Sequence, residues 1–214
     1  MTIKMANSTT TPSRHDNPFA TCWTRPGALA FRFLEGQSVE QLINKLAAQD
    51  WWGEIVGPHG SGKSTLLEVL KPALAAAGRR ACAIRLRDGQ RRLPADFFNC
   101  SQENTLFVID GYEQLGWLER RRLKRDCRRA GAGLVVTSHA PTGLPTLIRL
   151  APDRSLIEQL VRELCAEAST GVTAGDVAAS HARHGSNVRE IFFDLYDRHE
   201  QFRRTVRTSA RGDA

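Results

Sequence analysis

The chain has 214 residues, 41% of them hydrophobic and 25% charged, which suits one globular domain, or one domain with a small appendage. No run approaches the roughly 20 apolar residues needed to cross a membrane. The polar stretch 1–16 predicts a disordered tail without a signal peptide. The net charge of +7 permits contact with a polyanion without demanding it.

Cys22, Cys82, Cys100, Cys127 and Cys165 are scattered, with no metal-ligand or redox spacing. They predict reduced thiols in a cytoplasmic protein, with Cys82 and Cys165 in the core. Residues 17–36 hold Pro18, Phe19, Trp23, Pro26, Phe31 and Phe33. This segment is too aromatic for a solvated tail and too short to fold alone, so it is expected to pack on the domain that follows. Arg25, Pro26 and Gly27 are candidates for the wall of a base pocket, with plain core packing as the alternative. A helix is predicted over 38–49, opened by the Ser38/Gln41 capping box and striped by Leu42, Ile43 and Leu46. Trp51–Val56 reads as a short buried strand.

Gly57-Pro58-His59-Gly60-Ser61-Gly62-Lys63-Ser64-Thr65 follows and fits the phosphate-loop pattern G-x-x-x-x-G-K-[ST] without a mismatch. The glycines let the backbone approach phosphate oxygens, and successive N–H groups then form an anion nest. Lys63 supplies a compact charge for the β and γ phosphates. The Ser64 hydroxyl is the expected Mg²⁺ ligand, and the dipole of the following helix adds to the field. Leu66, Leu67, Val69, Leu70, Leu74 and Ala77 mark that helix, which Gly78 ends.

Arg80–Arg87 reads as a second strand, and 88–104 as irregular with a short helix near Phe97 and Phe98. Thr105–Asp110 is a continuous apolar run closed by a carboxylate, the pattern of a buried parallel strand. Ligands of doubly wound sheets bind at that carboxyl edge, so Asp110 is expected to hold the Mg²⁺ with Ser64. Gly111 occupies the position where many ATPases carry a glutamate that polarises the attacking water. Glu113 is the nearest replacement and Glu54 another candidate. A helix over 117–129 is basic through Arg120, Arg121, Arg122, Lys124, Arg125, Arg128 and Arg129, either a solvated face or a surface for nucleic acid. Gly133–His139 is another buried strand, whose end offers Thr137 or His139 to sense the γ-phosphate. Residues 144–150 read as a fifth, shorter strand.

Beyond this point the pattern becomes helical. Ser155 with Glu158, Thr173 with Asp176, and Asn187 with Glu190 each predict a capped helix start. The predicted organisation is a disordered tail over 1–16, an α/β nucleotide-binding domain over 17–152, a helical lid over 153–204 and a loose tail over 205–214.

Taken together, the phosphate loop, the Asp110 strand, the strand ending Thr137-Ser138-His139 and the lid run Gly185-Ser186-Asn187-Val188-Arg189-Glu190 resemble the AAA+ ATPases, most closely the initiator and origin-recognition branch. The resemblance covers about residues 50–200. It implies a three-layer α/β/α P-loop NTPase fold of about five mostly parallel strands, ATP and Mg²⁺ as ligands, and ATP hydrolysis, which Gly111 leads us to expect to be slow. It also implies Thr137 as first sensor, Arg189 as second, and a protein partner or a homo-oligomer. The chain departs from the family at Gly111 and offers no clear arginine finger, although Arg149 and Arg154 are near the right region. The lack of an Asn-Lys-x-Asp motif favours ATP over GTP. Alternatives are a nucleotide-dependent switch or scaffold with little turnover, or a nucleic-acid-stimulated ATPase. An ABC-type ATPase lacks its Leu-Ser-Gly-Gly signature here, and a small-molecule kinase would need helix 117–129 as its lid.

Overall fold

The computed structural model describes residues 16–33, 36–166, 168 and 170–212, with side chains to Thr208. The tail expected over 1–16 lies, save Asp16, outside the described residues. Five strands, β1 (Trp52–Val56), β2 (Arg80–Arg85), β3 (Thr105–Asp110), β4 (Gly133–Ser138) and β5 (Thr146–Arg149), form one sheet in the order β2-β3-β4-β1-β5. All four pairings are parallel. The register sets Arg85 opposite Asp110, and Ile55 and Val56 opposite Thr137 and Ser138. The carboxyl ends therefore form one edge, as the apolar runs ending in polar residues predicted.

Strand alternation splits the core into two layers. Leu106, Val108 and Val135 face one side, where they pack with Leu42 and Leu46 of α2 (Val39–Ala48) and Leu66, Leu70 and Leu74 of α3 (Lys63–Ala76). Phe107, Ile109, Leu134 and Val136 face the other, against Leu123 and Cys127 of α4 (Trp117–Arg129) and against Phe97, Tyr112 and Leu115. Helices on both faces of a parallel sheet make the expected α/β/α sandwich.

Three helices follow: α5 (Arg154–Cys165), α6 (Ala174–His184) and α7 (Val188–Gly212). Their shared core includes Ile157, Val161, Leu164, Val177, Ile191 and Leu195. The Thr173/Asp176 capping box forms as predicted, and Asn187 Oδ1 accepts from Glu190 N. Helix α5 instead starts from Asp153, whose carboxylate accepts from Leu156 N at 2.8 Å, while Glu158 pairs with Arg154. Asp153 occupies the last extended position after Pro152, and an ionised acceptor suits a helix start. The predicted loose end is also corrected, because α7 runs on to Gly212. No Gly or Pro interrupts it after Val188, so nothing stops propagation.

The N-terminal segment packs on both parts. Phe19 is fully buried in the lid core, and Asn17 Nδ2 donates to Tyr196 O and Glu200 Oε1. After the short α1 (Thr21–Thr24), Phe31 and Phe33 pack against the α2/α3 layer. The thiol expectation is overturned at one pair: Cys82 on edge strand β2 and Cys100 form a disulfide. The intervening loop folds back on the sheet through Phe97, Phe98 and Phe107, whose rings touch, and this brings two sequence-distant sulfurs together. Cys22, Cys127 and Cys165 are free.

Candidate functional site

The loop between β1 and α3 is shaped by backbone closeness. A Cβ on Gly57 would meet Ser61 Oγ at 2.6 Å and Leu150 O at 2.7 Å, so only glycine fits. Gly62 caps α3 in the left-handed region, at φ 93°, where lack of a Cβ removes the strain. Lys63 opens α3 and is buried; its ammonium donates to Gly57 O at 2.6 Å and Pro58 O at 2.7 Å. Burial pushes its pKa below the usual lysine value; Glu113 and Asp110 pull it back, and Arg189 adds to the lowering. Ser61 Oγ is buried with no hydrogen-bond partner among the described residues, a donor that the loop keeps inward.

Asp110 is the hub of the edge. Its Oδ2 accepts from Ser64 Oγ at 2.7 Å, and its Oδ1 accepts from Thr137 Oγ1 at 2.8 Å. Thr137 in turn accepts from Gly111 N at 2.9 Å. Because β4 lies between β1 and β3, Thr137 falls between the phosphate loop and Asp110. The sequence reading missed Arg85, whose Nε lies 2.7 Å from the same Oδ2. Only the β2–β3 register, pairing Arg85 with Asp110, could have revealed it.

The Gly111 departure has a backbone cause. Its φ is 90°, and a Cβ would meet Leu86 O at 3.2 Å; a glutamate there would be strained. The acidic group arrives two residues later on the turn Tyr112–Gln114. Glu113 Oε1 lies 3.1 Å from His139 Nε2, and Glu113 Oε2 is buried without a hydrogen-bond partner among the described residues. The His139 ring centre lies 3.6 Å from that of His59 in the phosphate loop, the two planes tilted by 50°. Burial depresses the His139 pKa, Lys63 and His59 depress it further, and Glu113 and Asp88 oppose them. Glu54, the other candidate base, is fully buried within β1 and accepts from Thr142 N, Thr142 Oγ1 and Thr146 Oγ1. Its carboxylate is consumed by structure.

The C-terminal helices close the other side. A Cβ on Gly60 would meet Asn187 Oδ1 at 1.9 Å and Arg189 N at 3.0 Å, so the start of α7 sits directly on the phosphate loop. A cavity of about 700 Å³ lies between them, within the range of small-molecule sites. His59, Gly60, Ser61, Gly62, Lys63, Ser64, Thr65, Asp110, Glu113, Thr137, His139 and Arg189 all line it. Arg25 and Pro26 line its N-terminal wall, while Gly27 faces Glu68. Arg149 is exposed on β5 and Arg154 pairs with Glu158. Helix α4 packs on the sheet face rather than over the phosphate loop, which removes the lid that a kinase reading needs.

A single parallel sheet in this order, a phosphate loop after β1, which lies between β4 and β5, and trailing helices define a P-loop α/β fold. The structure is similar to AMPPCP-bound DnaA from Aquifex aeolicus, with a TM-score of 0.53 and 16% identity over 75% of this chain. NtrX from Brucella abortus in complex with ATP gives a TM-score of 0.49 and 12% identity over 77% of the chain. The chain spans 60% of that DnaA chain and 49% of that NtrX chain. No protein-family model and no curated protein matches the sequence.

Proposed function

We propose that this protein binds ATP with Mg²⁺ between the phosphate loop and the start of α7, and hydrolyses it slowly as the lid changes position. The observation that carries this reading is the oxygen pair Ser64 Oγ and Asp110 Oδ2, 2.7 Å apart at the same cavity that Lys63 lines. The residues fit the ligands. Unpaired Ser61 Oγ, the glycine-walled loop and the α3 N-terminus suit phosphate oxygens, and the hard oxygens of Ser64 and Asp110 suit Mg²⁺. When bound, the metal would neutralise charge on the phosphates. Lys63 holds the phosphate charge, Thr137 fixes the Asp110 carboxylate, and Glu113 takes the proton of the attacking water. Arg189 brings a cation from the lid. The test is titration of a fluorescent ATP analogue with and without Mg²⁺. Lys63→Ala is expected to abolish binding, and retained micromolar affinity in that variant would sink the reading.

A second reading rests on the Gly60–Asn187 contact: ATP orders the lid against the loop and turnover hardly matters. Strong ATP-dependent protection from proteolysis with negligible phosphate release favours this switch. Slow but steady phosphate release over many turnovers favours the enzyme.

A further inference from the structure

The cations of α4 are not one face. Arg121, Arg122, Arg125, Arg128 and Arg129 are exposed, whereas Arg120 and Lys124 are half-buried. These two stand about one helical turn apart on the same side. Arg120 Nη2 donates to Glu113 O at 2.7 Å and its Nε to Leu115 O at 2.8 Å. Its guanidinium also lies 5.2 Å from the ring centre of fully buried Tyr112. A turn as short as Tyr112–Gln114 cannot satisfy its own last carbonyls, and a guanidinium can take two at once where an ammonium is a point charge. One turn further on, Lys124 Nζ donates to Thr142 O at 3.3 Å, three residues past His139. Thr142 is held from β1 as well, because Glu54 Oε2 accepts from its N at 2.7 Å and its Oγ1 at 2.6 Å. Burial lowers the Lys124 pKa, Arg128 lowers it further, and Glu54 opposes them.

One helix thus grips two separate turns. The side chains that those turns present to the cavity are Glu113 and His139, with Glu113 Oε1 3.1 Å from His139 Nε2. We infer, on the reading of Glu113 as the base, that Arg120 and Lys124 are positioning residues, which hold the Glu113 carboxylate against His139 by fixing the turns that carry them. Neither cation is among the described residues that line the cavity, so each acts on the placement of Glu113 and His139 and leaves the contacts of ATP with Lys63, Ser64 and Asp110 in place. A base must sit within hydrogen-bond reach of the water it deprotonates, and a displacement of about 1 Å is enough to cost rate.

The test is an NMR titration of the histidine side chains of the full chain without nucleotide, in which His139→Gln assigns the His139 signal. Burial, Lys63 and His59 lower the His139 pKa, and Glu113 and Asp88 raise it. Arg120→Met keeps an apolar stem against Tyr112 and removes the fork; it should lower the His139 pKa towards its value in Glu113→Gln. Mere loss of a nearby cation would raise that pKa, so the sign separates positioning from charge. Lys124→Met should lower it too, and the exposed Arg121→Met should leave it unchanged. Arg120→Lys keeps the charge but reaches one carbonyl; it should fall in between, and it decides the matter if Arg120→Met does not fold. In turnover assays Arg120→Met should lower kcat roughly tenfold or more, with the Kd for ATP within about twofold of wild type. Absence of turnover in the wild type would sink the hydrolysis reading, while the titration still decides the positioning. A His139 pKa unchanged or raised in the Arg120 variant or in Lys124→Met would overturn the inference, as would an ATP affinity that falls as far as kcat.

Discussion

Arg85 Nε and Asp110 Oδ2 lie 2.7 Å apart, and the same oxygen accepts the hydrogen bond from Ser64. A guanidinium thus sits on the carboxylate proposed to hold Mg²⁺, and the two cations compete for it. Arg85 is more than half exposed, so the pair is worth no more than about 1 kcal/mol. Arg85→Gln is expected to lower the Mg²⁺ concentration needed for half-maximal ATP binding by roughly threefold to fivefold. A higher Mg²⁺ requirement would instead make Arg85 a positioning residue for Asp110.

Gly60 has a φ of 67° and no space for a side chain beside Asn187. Gly60→Ala should push α7 off the loop, costing about 1 kcal/mol or more. ATP-dependent protection of the lid from protease should be lost. Gly89→Ala is the control: its φ is 82°, but a Cβ there meets nothing within 4 Å. It should cost stability without affecting the lid.

His139 has its pKa depressed, first by burial. Its neutral form is therefore favoured in the fold, and the unfolded chain takes up the proton first as pH falls. Stability should drop as pH falls through the window below about 6.5, the ordinary histidine value. Urea midpoints measured across that window should show the drop in the wild type, and His139→Gln should flatten it.

The Cys82–Cys100 disulfide closes a loop across a sequence separation of 18 and pins the segment that carries Arg85, Arg91 and Arg92. Loop-closure entropy makes it worth about 3 kcal/mol. Reduction, or Cys100→Ser, should lower Tm by roughly 6–12 °C. Thiol counting by mass spectrometry under non-reducing conditions should find three free cysteines; five would show the bridge absent in solution.

Local chemistry made much of this fold legible. The phosphate loop needs its glycines, lysine and serine in one short run, so the sequence carries it whole. The apolar run ending at Asp110 announced a buried strand, and Thr173 with Asp176 announced a helix start. The α5 cap was misread because Ser155 and Asp153 compete within one turn, and the wrong one fit the familiar spacing. The extent of α7 was misread because polarity alone suggested an end where no helix breaker stands.

By itself the sequence determined the phosphate loop, the two apolar strands behind it and a helical region after residue 153, since each depends on neighbours within a few residues. Only tertiary structure decided what meets at the sheet edge. Strand order put Thr137 beside Asp110, and the β2–β3 register put Arg85 on the same carboxylate. The turn after left-handed Gly111 set Glu113 against His139, and packing of the C-terminal helices set Asn187 on Gly60. These contacts join residues far apart in the chain, so register and packing fix them, and local patterns do not encode either.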